Sequence, residues 1–217
     1  MIFWFMGGGP AASRTLGDWV AEVYPCLNSE DAANLIHWTE AELIEWANQG
    51  QRDLARRFAM WVERDTANIT GIGTTDYVLP TRHLSTIHVT LGGRSLRAVN
   101  VRELEALSAT WTTDACMGAG TPSRYCQDVS GTTTIRLYKI PNGVEVLAIL
   151  HHEYPTDLAV ATEPDMPSAV ADWLFFRMVA EARGKESDGS MPEAAKFCRD
   201  VQGIYEQAFA GYWGART

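Results

Sequence analysis

The stretch TEAELIEWANQGQRDLARRF, residues Thr39–Phe58, has the clearest helical pattern in this chain. Thr39 followed by Glu42 is a capping-box pattern, in which each side chain can hydrogen-bond the backbone N–H of the other residue. Small or apolar residues recur at the spacing of one helix face; they are Leu43, Ala47, Gly50, Leu54 and Phe58. The pattern predicts a helix that packs on one side and presents polar groups on the other.

Length and composition limit the class of protein. The chain has 217 residues, of which 46% are apolar and 21% are charged. This length allows one substantial domain with its own core, or two small ones. The net charge of -9 argues against a sequence-independent grip on nucleic acid, which needs a basic surface. No apolar run approaches the roughly 20 residues of a membrane span, so we expect no membrane partner.

Four cysteines are spread along the chain without a CxxC pair: Cys26, Cys116, Cys126 and Cys198. Such cysteines in a protein made in a reducing cytosol are usually reduced and structural. No cysteine has both a basic or helix-start context and a clear partner histidine, so we expect no thiol nucleophile.

The hydrophobic period changes twice along the chain. It is helical up to Phe58, has a period of two after Met60, and is helical again from Pro167. We therefore predict an α+β fold, a helical bundle formed by the N- and C-terminal helices with an inserted β-hairpin/sheet region. The expected parts are a flexible apolar leader at 1–14, a main domain at 15–210 and a C-terminal arm at 211–217. The main domain is expected to have helices at 15–58 and 166–210 and the β insertion at 60–154.

Two turn signals predict hairpins in the β insertion. Gly92-Gly93 separates two alternating runs, and Pro141-Asn142-Gly143 contains the Asn-Gly pair that tolerates a type I′ turn. Asn100 is expected to cap a short helix over 101–108. Ser190 with Glu193 is a second capping box, expected to open the last helix.

The first residues, MIFWFMGGGP, are apolar but too short and too poor in basic residues for a signal peptide. Two interpretations remain. The segment is either a disordered leader or an apolar peg on a glycine tether that docks on a neighbouring subunit.

No motif predicts catalysis. His151, His152 and Glu153 are of metal-binding type, but adjacent side chains of a strand point to opposite faces, so we expect no metal site. Gly71–Thr75 lacks the lysine and the helix start of a phosphate-binding loop. We predict no enzymatic activity and no cofactor; a small metal-dependent enzyme that uses these histidines stays as an alternative hypothesis.

Aromatic residues are the more informative feature. The chain has 8 tryptophans, and Trp4, Trp111 and Trp213 lie outside the clear helical and strand patterns. Aromatic rings are enriched at the centres of protein interfaces. These tryptophans therefore indicate subunit contacts, with ordinary core packing as the alternative.

The order of short motifs along the chain is distinctive. These are WANQGQRDLARR at 46–57, YVLP at 77–80, RSLR at 94–97, VREL at 101–104, GTPSRY at 120–125, IRLY at 135–138 and DMP at 165–167. Over roughly residues 15–210, this order resembles the head–tail connector (adaptor) proteins of tailed bacteriophages and of phage-like gene transfer agents.

The resemblance implies a virion structural protein without catalysis or cofactor, made in the host cytoplasm. Such adaptors look like helical bundles with a β insertion, and they form a ring, usually of about twelve copies, beneath the portal. The implied partners are further copies of the chain, the portal protein and a tail or nozzle protein. Double-stranded DNA would pass through the ring without specific binding. A tail-completion or tail-terminator protein of the same virion is the alternative.

The resemblance also implies where contacts lie. A C-terminal arm often docks on the portal in these adaptors, and here that arm would use Tyr212, Trp213 and Arg216. Trp111 is a further candidate for an interface. The charges of the Thr39–Phe58 helix are candidates for contacts between copies, although solvated charges that follow the helix dipole would give the same pattern; they are Glu42, Glu45, Arg52 and Arg56.

Overall fold

A computed structural model describes residues 15–27, 38–70, 74–107, 118–127, 133–161, 166–185 and 192–214. The chain divides into two compact units. The helical unit consists of residues 1–58 and 155–217, and the sheet unit of residues 59–154. The predicted leader at 1–14 and the Ser190 capping residue lie outside the described residues.

The helical unit contains four of the described helices. They are α1 (Leu16–Cys26), α2 (Glu40–Phe58), α4 (Ser168–Gly184) and α5 (Pro192–Trp213). The sheet unit contains α3 (Val101–Leu107) and nine strands. The strands are β1 (Val62–Ile69), β2 (Asp76–Val78), β3 (His83–Leu91), β4 (Arg94–Ala98), β5 (Ala119–Gly120), β6 (Arg124–Gln127), β7 (Thr134–Tyr138), β8 (Ile140–Pro141) and β9 (Val146–Glu153). None of the helices in the described ranges is both long and apolar enough to cross a membrane.

The predicted helix over Thr39–Phe58 is confirmed as α2. Its capping box is reciprocal: the Thr39 N–H donates to Glu42 Oε2 at 2.9 Å, and the Glu42 N–H donates to Thr39 Oγ1 at 3.2 Å. All five residues of the predicted packing face are buried. The helix therefore begins and faces the core as its sequence indicates.

Within the helical unit, α4 is the central helix and packs against α1, α2 and α5. The Trp38 indole N–H donates to the Ala182 carbonyl near the end of α4, at 2.7 Å. Arg57 on α2 forms a bidentate pair with Glu206 on α5, with N–O distances of 2.7 and 2.6 Å. Helices from both ends of the chain thus share one core.

Seven strands of the sheet unit form one mixed sheet, in the order β1-β9-β3-β4-β6-β7-β2. Among the described pairs of this sheet, β4–β6 is parallel and the others are antiparallel. Strands from across this sheet contribute to one buried cluster: Tyr77, Leu79, Val89, Leu91, Leu96, Tyr125, Ile135, Leu137, Leu147 and Ile149. Since edge strand β2 and strand β9 near the other edge share this cluster, the sheet curves around its core.

The predicted fold class, a helical bundle with an inserted β-hairpin/sheet region, is therefore wrong. The middle of the chain forms a seven-stranded mixed sheet with its own core, rather than hairpins attached to a bundle. Several of its pairings, such as β1 with β9 and β2 with β7, join strands that are distant in sequence. A period-two pattern predicts that strands exist but not which strands pair.

Of the two predicted hairpins, only the first forms. Gly92 and Gly93 have φ angles of 54° and 80° and join β3 to β4, with Leu91 opposite Arg94. The Asn142-Gly143 hairpin is wrong, because β7 pairs with β6 and β2 whereas β9 pairs with β1 and β3. The Thr70 hydroxyl holds this loop instead: it donates to the Gly143 carbonyl at 3.1 Å and accepts from the Glu145 N–H at 2.9 Å.

The sequence also predicts the start of α3 and the end of α5. Asn100 caps α3 as predicted, since its Oδ1 accepts the Glu103 N–H at 2.9 Å. The expected end of the last helix near Ala210 is wrong, because α5 continues to Trp213. The added turn packs the Trp213 ring against Phe209, with ring centroids 5.6 Å apart. The first part of the predicted C-terminal arm is therefore helical.

Candidate interaction surfaces

The outer face of α5 presents apolar side chains to solvent. Phe197 and Ile204 are 64% and 63% exposed, and Tyr212 is 86% exposed. These residues are seven and eight positions apart, which places them on one side of the helix. We call Phe197, the half-buried Val201 and Ile204 the outer stripe, which Tyr212 continues toward the C-terminus. Clustered large apolar side chains in solvent mark an interaction surface.

Sequence reasoning missed the outer stripe because α5 carries two sets of apolar residues. The inner set is buried and contains the apolar residues Ala195, Cys198 and Phe209, with the polar Gln202 among them. A signal was present, since a surface helix normally has a single apolar face. A second apolar face on α5 predicts a second packing partner.

The structure places the candidate arm residues at the end of α5. The Tyr212 side chain is 86% exposed. Trp213 is 38% exposed and packs between Phe209 and Tyr212. Trp111 and Arg216 lie outside the described residues. Tyr212 is thus the most exposed large side chain of the described C-terminal end.

The four candidate charges on α2 all have partners within the same chain. Glu42 accepts from Lys185 Nζ at 2.6 Å, and Arg56 pairs with Asp53 at 3.3 Å. Arg52 donates to Glu45 at 3.1 Å and to Asp157 at 2.7 Å. These pairs stay partly exposed, so their role between copies remains a prediction.

Glu42 gives the helical unit a testable pH dependence. The hydrogen bond from Lys185, followed by that from the Thr39 backbone, lowers the pKa of Glu42 below its ordinary value of 4.5. A lowered folded-state pKa contributes stability above the unfolded pKa, and this is lost as pH falls through the folded pKa. We expect acidification below about pH 4.5 to reduce the free energy of unfolding more in the wild type than in Glu42→Gln.

Urea unfolding at neutral and acidic pH measures this difference. Lys185→Gln should reduce the same acid-dependent loss, because the Lys185 hydrogen bond is the main cause of the shift. An equal loss in the wild type and in both variants would contradict this account of Glu42.

The NQGQ sequence in the middle of α2, residues 48–51, binds a neighbouring backbone segment. Asn48 forms two bonds with the Leu158 backbone: its amide N–H donates to the Leu158 carbonyl at 3.1 Å, and its Oδ1 accepts the Leu158 N–H at 2.7 Å. Gln51 donates to the Thr156 carbonyl at 2.9 Å. Arg52 adds its ion pair with Asp157. This polar row holds the segment at 156–158 against α2.

The three candidate metal ligands do not share one face of β9. Glu63 lies opposite His151 and Val62 opposite His152, so the two histidines face opposite sides of the sheet. The His151 ring is fully buried and stacks on His83, with ring centroids 5.4 Å apart. Glu153 pairs with Arg82 at 3.1 Å. In the described parts of the chain, no group of three metal-ligating side chains comes together.

The three described cysteines differ in burial. Cys26, Cys126 and Cys198 form no disulfide; Cys126 and Cys198 are buried, and Cys26 is exposed. Burial raises the pKa of the Cys198 thiol, which opposes thiolate formation. Cys116 and the loop residues 71–73 lie outside the described residues.

Sequence comparison relates this chain to a known protein family. Residues 12–216 match the family described as SU10 adaptor protein. No curated protein matches the chain. The family match covers almost the whole chain, including both structural units, and it confirms the resemblance drawn from the order of motifs. The chain therefore belongs to the SU10 adaptor protein family, and it is a bacteriophage adaptor protein and a component of the virion.

Proposed function

We propose that this protein is a head–tail adaptor that forms a ring of about twelve copies beneath the portal, joins the capsid to the tail and surrounds the DNA channel. The exposed apolar face of α5, which ends in Tyr212, carries the proposal. A protein of an adaptor family needs surfaces for other virion components, and this face has no partner among the described residues of its own chain that would keep it from solvent.

The C-terminal end of α5 is the proposed portal contact. Tyr212 and Trp213 form an aromatic pair with ring centroids 5.8 Å apart. Exposed aromatic side chains on a rigid helix lose little conformational entropy when they bind, which makes them effective anchors. Arg216 would extend this contact.

The charge distribution supports a channel that DNA traverses without binding. The helical unit has ten basic and eighteen acidic residues, a net charge of -8. The sheet unit has eight basic and nine acidic residues, a net charge of -1. Since like charges repel the DNA backbone, we assign the channel wall to the helical unit.

Contacts between copies complete the proposed ring. A closed ring needs two different surfaces on each copy that meet head to tail. The partly exposed charges Glu42, Glu45, Arg52 and Arg56 on α2 would meet the neighbouring copy, as would Trp111. Exposed ion pairs contribute only about 0–1 kcal/mol each, so the ring needs an apolar contact as well.

The portal contact predicts the effect of Tyr212→Ala. Because Tyr212 is 86% exposed, the variant should fold with unchanged thermal stability. Loss of an aromatic anchor typically costs about 2 kcal/mol, which weakens portal binding about 30-fold. Binding to purified portal rings, measured by light scattering or pull-down, tests this expectation.

The matched control is Gln207→Ala, an exposed residue of the same helix on another face, which should bind portal normally. Equal portal binding by the wild type and Tyr212→Ala would refute the portal assignment. Binding of the wild type to tail tubes but not to portal would instead identify a tail-completion or tail-terminator protein.

A further inference from the structure

The outer stripe of α5 lies on the same face as Tyr212 but more than two helical turns before it, so a portal contact at Tyr212 leaves Phe197 and Ile204 without a partner. Phe197 and Ile204 are both more than half exposed, and they lie two turns apart on one face. Asp200 and Gln207 beside them are exposed and polar. The stripe is therefore an apolar strip with polar side chains along one border.

The chain itself contains a segment that matches this strip. Residues 1–6, MIFWFM, are all apolar and include Phe3, Trp4 and Phe5. Six consecutive apolar residues left in water would be an aggregation hazard, so such a segment needs a burial site. It has no charge that would conflict with the apolar strip.

The chain between this segment and the folded domain is long enough to reach from α1 to an α5 helix. Residues 7–14, GGGPAASR, precede α1 and have three glycines. Eight extended residues span up to about 26–29 Å. Helix α1 packs on α4, and α4 on α5, so α1 and α5 are about 16–20 Å apart at ordinary helix spacing. Residues 7–14 are therefore long enough to span the distance from α1 to α5.

We propose that residues 1–6 of one copy bind the outer stripe of α5 on a neighbouring copy, as an exchanged apolar peg that closes the ring. The inference rests on the proposed ring. None of the described residues of the same chain covers the two ends of the stripe, and the head-to-tail contact that a closed ring requires favours a peg supplied by another copy. This contact supplies the apolar, head-to-tail component that exposed ion pairs alone do not.

Photocrosslinking between two co-expressed chains tests the exchange. The first full-length chain carries p-benzoylphenylalanine in place of Ile204. The second carries Ala12→Val, which changes the mass of its N-terminal peptide. Trypsin releases residues 1–14 and 200–216 as single peptides, because the basic residues that bound them are Arg14, Arg199 and Arg216. Mass spectrometry of assembled rings then identifies which chain supplied the peg.

We expect adducts between peptide 200–216 and the heavier 1–14 peptide of the second chain. The same photocrosslinker at Gln207, which lies in the same peptide but off the stripe, should give several times less adduct. Trp4→Ser with Phe5→Ser in the second chain should remove its adduct while each subunit keeps its thermal stability.

Each other outcome overturns the inference. Rings that give no 1–14 adduct, or only the lighter adduct from the same chain, contradict the exchange but leave the adaptor ring intact. A chain that stays monomeric with portal present and gives no adduct between copies contradicts both the exchange and the proposed function.

Discussion

Gly50→Val is expected to lower the free energy of unfolding by about 2–4 kcal/mol, a typical cost of overpacking a core. Gly50 lies on the buried face of α2, where that helix packs against α4. A Cβ atom at this position would lie 2.8 Å from Leu174 Cδ2 and 3.0 Å from Trp173 Cζ3. Both neighbouring side chains are fully buried, so neither has free space to move. Urea or thermal unfolding measures the loss.

Gly203→Val is the matched control for this prediction. Gly203 is also inside a helix, but no atom lies within 4 Å of the position that its Cβ would take. Because valine is a somewhat better helix former than glycine, this variant should be neutral or slightly more stable. Equal stability of the two valine variants would show that α2 and α4 do not pack closely at Gly50.

Asn48→Ala is the second substitution with a large expected effect, a loss of about 2–4 kcal/mol in the free energy of unfolding. Asn48 is 5% exposed and satisfies both backbone groups of Leu158. Each buried backbone group that loses its partner costs about 1–3 kcal/mol. Faster hydrogen exchange of the Leu158 amide should accompany the loss.

Gln49→Ala is the matched control, because it removes a similar side-chain amide from the exposed side of α2. Gln49 is the next residue on α2, but it is exposed and its side-chain amide donates to Glu45 at 3.0 Å. Its removal should change the stability by less than about 0.5 kcal/mol. If Asn48→Ala were as mild as Gln49→Ala, the polar row on α2 would not hold the segment at 156–158.

The sequence predicts features that depend on near neighbours. The α2 capping box, its buried face, the Asn100 cap of α3 and the Gly92-Gly93 turn all involve residues a few positions apart. Local hydrogen bonds and glycine's tolerance of positive φ determine these features. They can therefore be recognised without knowledge of the rest of the fold.

The sheet could not be predicted in the same way, because its partners are far apart in the chain. Strand β9 follows an Asn-Gly turn that favours local pairing with β7. Its actual neighbours are β1 and β3, which bond both of its edges and place Leu147 and Ile149 in the core. Burial of one shared core outweighs a single local turn preference.

The two candidate interaction surfaces on α5 also differ in how far the sequence predicts them. The contact at the end of α5, with Tyr212 and Trp213, was predicted from the family resemblance and from its position in the chain, and it stays a prediction. The outer stripe was missed because Phe197 and Ile204 have helical spacing, which is equally typical of buried residues. Only the position of α4 shows which of the two apolar faces of α5 is covered.

The mass of the complex formed with purified portal tests the central claim most directly. Twelve copies of this 24.0 kDa chain would add about 288 kDa to the portal ring, a difference that native mass spectrometry resolves. We predict a closed complex with this added mass and a central channel in electron micrographs. A protein that remains a 24.0 kDa monomer and adds no mass to the portal would contradict the adaptor ring.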